Sequence, residues 1–231
     1  MQKILITGAN RGIGLALVKE YFKRDVQIFA ACRNPEEAAD LQALQSEKLS
    51  LISLDISNES SIANAVQAVS AQTDRLDILI NNARIYPRDA ASASFGHLEA
   101  ENLAHILYTN SISPVMVTQA FLDLLRNAKP SKVLMVSSRL GSITLAGTSG
   151  FGYRMSKTAL NMAVKVMAQV LAPEGITVVT THPGHVATDM GGAGAAVSPV
   201  ESAEGLIRLL DTLSPEKAGH FYNYTGEELP W

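Results

Sequence analysis

The chain has 231 residues, enough for one large domain with a buried core, and its 47% hydrophobic and 18% charged residues are ordinary for a globular protein. A formal net charge of −3 leaves no basic footprint for nucleic acid, so phosphate recognition, where present, is local. The single cysteine, Cys32, excludes an intramolecular disulfide, and without C-x-x-C or His-rich spacing no metal is expected.

Met1 leads directly into the first strand-like run, residues 4–7, with no charged leader or apolar signal segment before it. No apolar stretch reaches membrane-spanning length, so the expectation is a cytoplasmic protein that does not engage a membrane. Further apolar runs follow at 26–31, 49–54, 76–80, 133–136 and 176–181, each reading as a strand covered on both faces. Helix-period segments lie between them: Ile13, Leu17 and Tyr21 share one stripe, as do Ile62, Val66 and Val69. Asn34-Pro35-Glu36 reads as an N-cap with proline in the first turn, and Ser198-Pro199-Val200-Glu201 as a capping box. The β-α-β-α alternation predicts a doubly wound parallel sheet with helices on both faces, in one domain spanning residues 1–231. Ligands of such sheets bind at the carboxyl ends of the strands, where the small-residue stretches 90–94 and 191–196 are also expected as loops.

Two motifs carry chemistry. Thr7-Gly8-Ala9-Asn10-Arg11-Gly12-Ile13-Gly14 follows the first strand and opens the first helix. Glycines there let backbone N–H groups approach a pyrophosphate at a helix N-terminus, where the dipole favours negative charge. Tyr153-Arg154-Met155-Ser156-Lys157 sets a phenol and an ammonium at i and i+4 on one helix face, so the lysine charge is expected to depress the Tyr153 pKa. That helix is apolar around much of its circumference through Leu160, Met162, Val164, Val166, Met167 and Leu171, and is expected to be buried on more than one side, one side serving as a subunit interface. Ser137 and Ser138 end the fifth strand; alternation turns Ser137 to the other face as a packed hydroxyl.

These motifs resemble the classical short-chain dehydrogenase/reductase family, closest to its C-factor-like and sniffer-type carbonyl reductases, over nearly the whole chain. The resemblance implies a Rossmann fold with Gly8, Asn10, Arg11, Gly12, Ile13 and Gly14 around the dinucleotide, Asp55 and Ile56 at the adenine, and Asn82 and Ala83 beyond it. It also implies Pro183, Gly184, Val186 and Thr188 at the nicotinamide end, where Tyr153 and Lys157 bind as well as react. By the same resemblance Ser138 orients the substrate oxygen, Tyr153 is the acid, Lys157 assists it, and Asn110 holds a water that feeds protons to the lysine. Read from its spacing to Leu103 and Leu107, Asn110 lies in the apolar stripe of a long helix, where a satisfied core asparagine bonding the helix at Pro114 is the structural alternative.

The chain departs from the family pattern at Arg84, which replaces the glycine of N-N-A-G, and in a longer loop from Ser138 to Tyr153. After the second strand it carries Arg33 with no acid, so Arg33 and Arg11 favour a 2'-phosphate and hence NADP(H) over NAD(H). The implied activity is reversible reduction of a ketone or aldehyde by a cytoplasmic homo-oligomer, a dimer or tetramer. A signalling or redox-sensing protein that binds NADP(H) with little turnover is the alternative. Arg84, Tyr86, Phe95, Leu140 and Phe151 are candidates for the substrate wall, while His182 and His185 line a turn.

Overall fold

Apolar runs that are buried on both faces assemble one parallel sheet in the computed structural model, which describes residues 1–192 and 194–231. Its strands are β1 (Gln2–Thr7), β2 (Val26–Cys32), β3 (Leu49–Ser53), β4 (Ile78–Asn81), β5 (Ser131–Val136), β6 (Ile176–His182) and β7 (Phe221–Asn223). They pair in the order β3-β2-β1-β4-β5-β6-β7, every pair parallel. The expected doubly wound, Rossmann-type α/β fold is present, with β7 as an additional edge strand. Ala193, inside the small-residue stretch 191–196, lies outside the described residues.

The helices are α1 (Gly12–Phe22), α2 (Ala39–Gln42), α3 (Glu59–Ser70), α4 (Ala90–Ala93), α5 (Ala100–Leu107), α6 (Ser113–Ala120), α7 (Leu122–Asn127), α8 (Phe151–Leu171) and α9 (Pro199–Asp211). Alternate strand residues feed two cores, because successive side chains leave opposite faces. Ile4, Ile6 and Ile28 pack under α1 and α9 through Leu17, Tyr21 and Leu206, while Leu5, Phe29 and Val178 pack under α3 and α8. Burial of Leu160, Val164 and Leu171 seats α8, each worth roughly 1.5–3 kcal/mol; a charge at Val164 would unseat it. Among the described residues no helix is long and apolar enough to cross a membrane.

Two local expectations need correction. Asn34 opens only a 3-10 turn, Pro35–Glu37, because its amide donates to the Glu37 carboxylate at 2.9 Å instead of capping a helix. At α9 the Ser198 hydroxyl accepts from the Glu201 N–H at 3.1 Å as expected, but the Glu201 carboxylate accepts from the Tyr224 hydroxyl at 3.0 Å, leaving the box half made. As expected, α8 is buried on more than one side, against the sheet and against α4 and α5, and Met162, Val166 and Val170 form an exposed apolar stripe on its remaining side. Four-residue spacing aligns those three side chains, so the sequence shows the stripe but not which side is covered.

Candidate active site

Parallel strands bring Thr7, Asn81, Val136 and His182 to one edge of the sheet, and the site is built there. Thr7 Oγ1 accepts from the N–H groups of Asn82 and Ala83, both at 3.0 Å, which locks the ends of β1 and β4 together. The Asn82 amide returns to the carbonyls of Thr7 at 3.0 Å and Gly8 at 3.1 Å. This packing leaves no room for side chains. Gly8 has φ +64°, and an added Cβ would stand 2.9 Å from Ala83 Cα; at Gly14 it would overlap the Gly8 carbonyl oxygen. Arg11 precedes α1 in extended conformation and makes no side-chain cap, so the helix N-terminus presents backbone donors to the groove. The cradle therefore fits the pyrophosphate of a dinucleotide.

A groove of about 1450 Å³ runs along this edge. Gly8, Asn10, Arg11, Gly12 and Ile13 line one end, with Asp55 and Ile56, Asn82 and Ala83, and Thr188 along its length. Arg33 also lines it and is exposed, while the Arg11 guanidinium meets the Asp189 carboxylate at 3.1 Å in an exposed pair. The two arginines expected at one phosphate are thus differently engaged. Gly14 sits beneath the cradle, not on the groove wall.

A second cavity, of about 840 Å³, adjoins the first through Arg84, Tyr86, Arg88, Thr188 and Met190, which line both. Ser138 and Tyr153 open onto it, as do Pro183, Gly184 and Val186. Ser138 follows β5, and its hydroxyl oxygen accepts from the Leu140 N–H at 3.1 Å, leaving the O–H free to donate. Ser137 is fully buried, as strand alternation requires. The Tyr86 and Tyr153 rings meet in a T-shaped contact, with centroids 4.5 Å apart and planes at 73°.

The electrostatics differ from the expectation drawn from i, i+4 spacing. Lys157 is buried and its Nζ donates to the Val136 carbonyl oxygen at 2.9 Å, lying 5.8 Å from the Tyr153 ring centre. Burial, then Arg84, pushes the lysine well below its usual pKa. Burial raises the Tyr153 phenol, and the opposing influences are Arg84 and Ser138. Arg84 is thus the first influence opposing the rise of the Tyr153 phenol in this structure. Its Nη1 donates at 3.1 Å to both the carbonyl and the side-chain oxygen of Asn82. Among the described residues only glycines have positive φ, so Arg84 replaces the family glycine without left-handed strain.

Asn110 does not lie in an unbroken helix. It is buried in a π-helical turn, Tyr108–Ile112, between α5 and α6. Its Oδ1 accepts from the Ile85 N–H at 2.9 Å, and its Nδ2 donates to the Ile85 carbonyl at 3.0 Å and to Ser156 Oγ at 3.1 Å. The residue clamps the segment after β4 to α8, and Pro114 takes no part. Of the expected wall, Arg84, Tyr86 and Leu140 line the cavity; Phe95 and Phe151 do not, being exposed and packed on each other at 5.8 Å. Sequence reasoning missed Arg88, Arg139, Asn223 and Tyr224 on this wall. Adjacency to Ser138 was the available signal for Arg139, whereas Asn223 and Tyr224 reach the site only because β7 joins the sheet.

Sheet order and the glycine cradle define a Rossmann-type α/β protein. The family model described as short chain dehydrogenase matches residues 2–196, and the chain belongs to the short-chain dehydrogenase/reductase family of oxidoreductases. C-signal of Myxococcus xanthus is 41% identical over 166 residues, covering 71% of this chain and 98% of that protein. The NADPH-bound carbonyl reductase from chicken fatty liver is 32% identical with a TM-score of 0.93, covering 100% of this chain and 99% of that one. Carbonyl reductase Sniffer of D. melanogaster is 33% identical, also with a TM-score of 0.93, and 100% of each chain is covered.

Proposed function

We propose that this protein is an NADPH-dependent carbonyl reductase, converting a ketone or aldehyde to an alcohol, with Tyr153 as general acid. The observation that carries this reading is the opening of Tyr153 and Ser138 onto a cavity that adjoins the cradle-lined groove. Gly8, Gly12, Asn82 and Ala83 would hold the dinucleotide, Asp55 and Ile56 its adenine end, and Val186 and Thr188 its nicotinamide end. A bound nicotinamide would supply the hydride for the carbonyl carbon. Ser138 donates to the carbonyl oxygen and holds it against Tyr153, which gives up its phenolic proton as negative charge develops on that oxygen. Arg84 favours the phenolate left behind. Lys157 and Asn110 connect the phenol to solvent for reprotonation.

Arg33, and Arg11 once released from Asp189, favour the 2'-phosphate of NADPH, in keeping with the NADPH in the chicken enzyme. The outer stripe of α8 is read as the contact of a homo-oligomer, and the free, buried Cys32 suits a cytoplasmic setting. Identity with C-signal favours a second reading, an NADP(H)-binding signalling protein with little turnover. Ser138 and Tyr153 on a shared cavity favour chemistry, since nucleotide sensing needs only the groove. NADPH consumption over a panel of aldehydes, ketones and quinones separates the two: turnover of any class supports the reductase, and none across the panel supports the signalling protein.

A further inference from the structure

Arg139 follows Ser138 directly and begins a 3-10 turn, Arg139–Gly141, that puts its side chain on the wall of the cavity opened by Tyr153. Arg84 and Arg88 line the same cavity, where Glu227 is the one acidic side chain among the described residues. This concentration of positive charge stands against a chain whose net charge is −3. Arg11, Arg24, Arg75, Arg126 and Arg208 each pair with a carboxylate; among the described residues the three cavity arginines do not, and neither do Arg33 and Arg154.

Two of the three have other employment. Arg84 is fixed on Asn82, and Arg88 donates to the Met190 carbonyl with its guanidinium 5.4 Å from the centre of the Tyr86 ring. Both also line the dinucleotide groove, where cofactor phosphates account for positive charge. Arg139 lines only the substrate cavity, and among the described residues its guanidinium has neither a hydrogen bond nor an ion pair. His182, on the same wall, is pushed down to about 4 by burial and then by the charges of Arg139 and Arg84. A planar guanidinium with all its donors free matches an oxyanion in bidentate geometry.

We propose that the substrate carries an oxyanion, a carboxylate or a phosphate, besides its carbonyl, and that Arg139 binds it on the Ser138 side of the cavity with Arg84 adding to the positive field. The inference rests on the reductase reading for the carbonyl, but the anion site is separately measurable.

The test compares kcat/KM with NADPH for benzaldehyde, methyl 4-formylbenzoate, 4-carboxybenzaldehyde and 4-formylphenyl phosphate, in wild type and Arg139→Met at fixed ionic strength. At least one anionic aldehyde should exceed the neutral pair by about ten- to a hundredfold, the worth of a charged hydrogen bond. That ratio should collapse toward one in Arg139→Met, and whichever anion is preferred names the oxyanion. Equal use of neutral and anionic aldehydes, or a preference that survives in Arg139→Met, overturns the proposal. Calorimetric titration of benzoate and phenyl phosphate supplies a readout without turnover: wild type should bind at least one of them about tenfold or more tightly than Arg139→Met. Either anion held through Arg139 in a protein that reduces no aldehyde or ketone would uphold the anion site and overturn the reductase reading. Carbonyl reduction without charge preference, and binding of both anions indifferent to Arg139, would do the reverse.

Discussion

The Lys157 ammonium donates to the Val136 carbonyl oxygen at 2.9 Å and so is tied to the end of β5 instead of the Tyr153 hydroxyl. By the family resemblance the same side chain also binds the nicotinamide ribose, and the proposed mechanism gives it the proton path, which requires it to leave that carbonyl. Lys157→Ala should therefore weaken NADPH binding and slow reduction together, each by about ten- to a hundredfold, as for a lost charged hydrogen bond. Fluorescence titration of NADPH alongside steady-state kinetics checks this. Unchanged cofactor affinity would remove the ribose from its duties.

Tyr153→Phe keeps the edge-on contact with Tyr86, whose ring centre lies 4.5 Å away, and removes only the donor proton. Reduction should fall by roughly 10² to 10⁴ while NADPH affinity holds, since general acid catalysis is worth that much. A variant within a few-fold of wild type on the best ketone would mean that another group protonates the product.

Arg84→Gly restores the family residue and tests the origin of the phenol's acidity. Burial raises Tyr153 and Arg84 is the first influence opposing it, so deletion should raise the phenol further. Reduction uses the protonated phenol and is lost as pH rises through that pKa; its alkaline limb should move to higher pH. Alcohol oxidation uses the phenolate, so its rising limb should also move to higher pH and the rate near neutrality should drop. Limbs that stay in place would show that Arg84 does not act on Tyr153.

His182 makes the fold acid-sensitive. Burial and the nearby Arg139 and Arg84 lower it from 6.5 to about 4, so between those values the unfolded chain binds a proton that the native chain refuses. Stability is then lost as pH falls through this window, by about 3 kcal/mol at one pKa unit per 1.36 kcal/mol. Urea unfolding at pH 7 and pH 4.5 should show a smaller loss in His182→Gln than in wild type. Equal losses would mean that the imidazole is accommodated in its charged form.

Continuous apolar runs revealed β1 to β6 because parallel strands buried on both faces leave no polar alternation to interrupt them. β7 holds only Phe221, Tyr222 and Asn223, too few residues for any period, and its place is decided by backbone pairing with β6. The turn at Asn110 was hidden for a related reason: a π-turn adds one residue within a helix while the apolar spacing on either side still reads as continuous. Tyr153 and Lys157 could be set on one helix face from spacing alone. The direction of the ammonium could not, since the Val136 carbonyl lies on another element. Arg84 was visible as a break in a motif, but its influence on the phenol depends on the loop after β4 folding back toward α8.

The choice of cofactor is decided at the far end of the groove, away from Tyr153. Arg33 is exposed there, and among the described residues its side chain has no carboxylate partner, whereas Arg11 is shared with Asp189 at 3.1 Å. NADPH carries a 2'-phosphate that NADH lacks, so Arg33→Ala should weaken NADPH by about ten- to a hundredfold and leave NADH nearly unchanged. Salt should reduce the difference, because the contact is open to solvent. Asp189→Asn frees Arg11 from its pair and should strengthen NADPH relative to NADH if that guanidinium also reaches the phosphate. Paired titrations of both cofactors at fixed ionic strength decide the matter. A wild type that prefers NADH, or an Arg33→Ala variant that loses both cofactors equally, would show that Arg33 serves the surface alone and that the phosphate is recognised elsewhere.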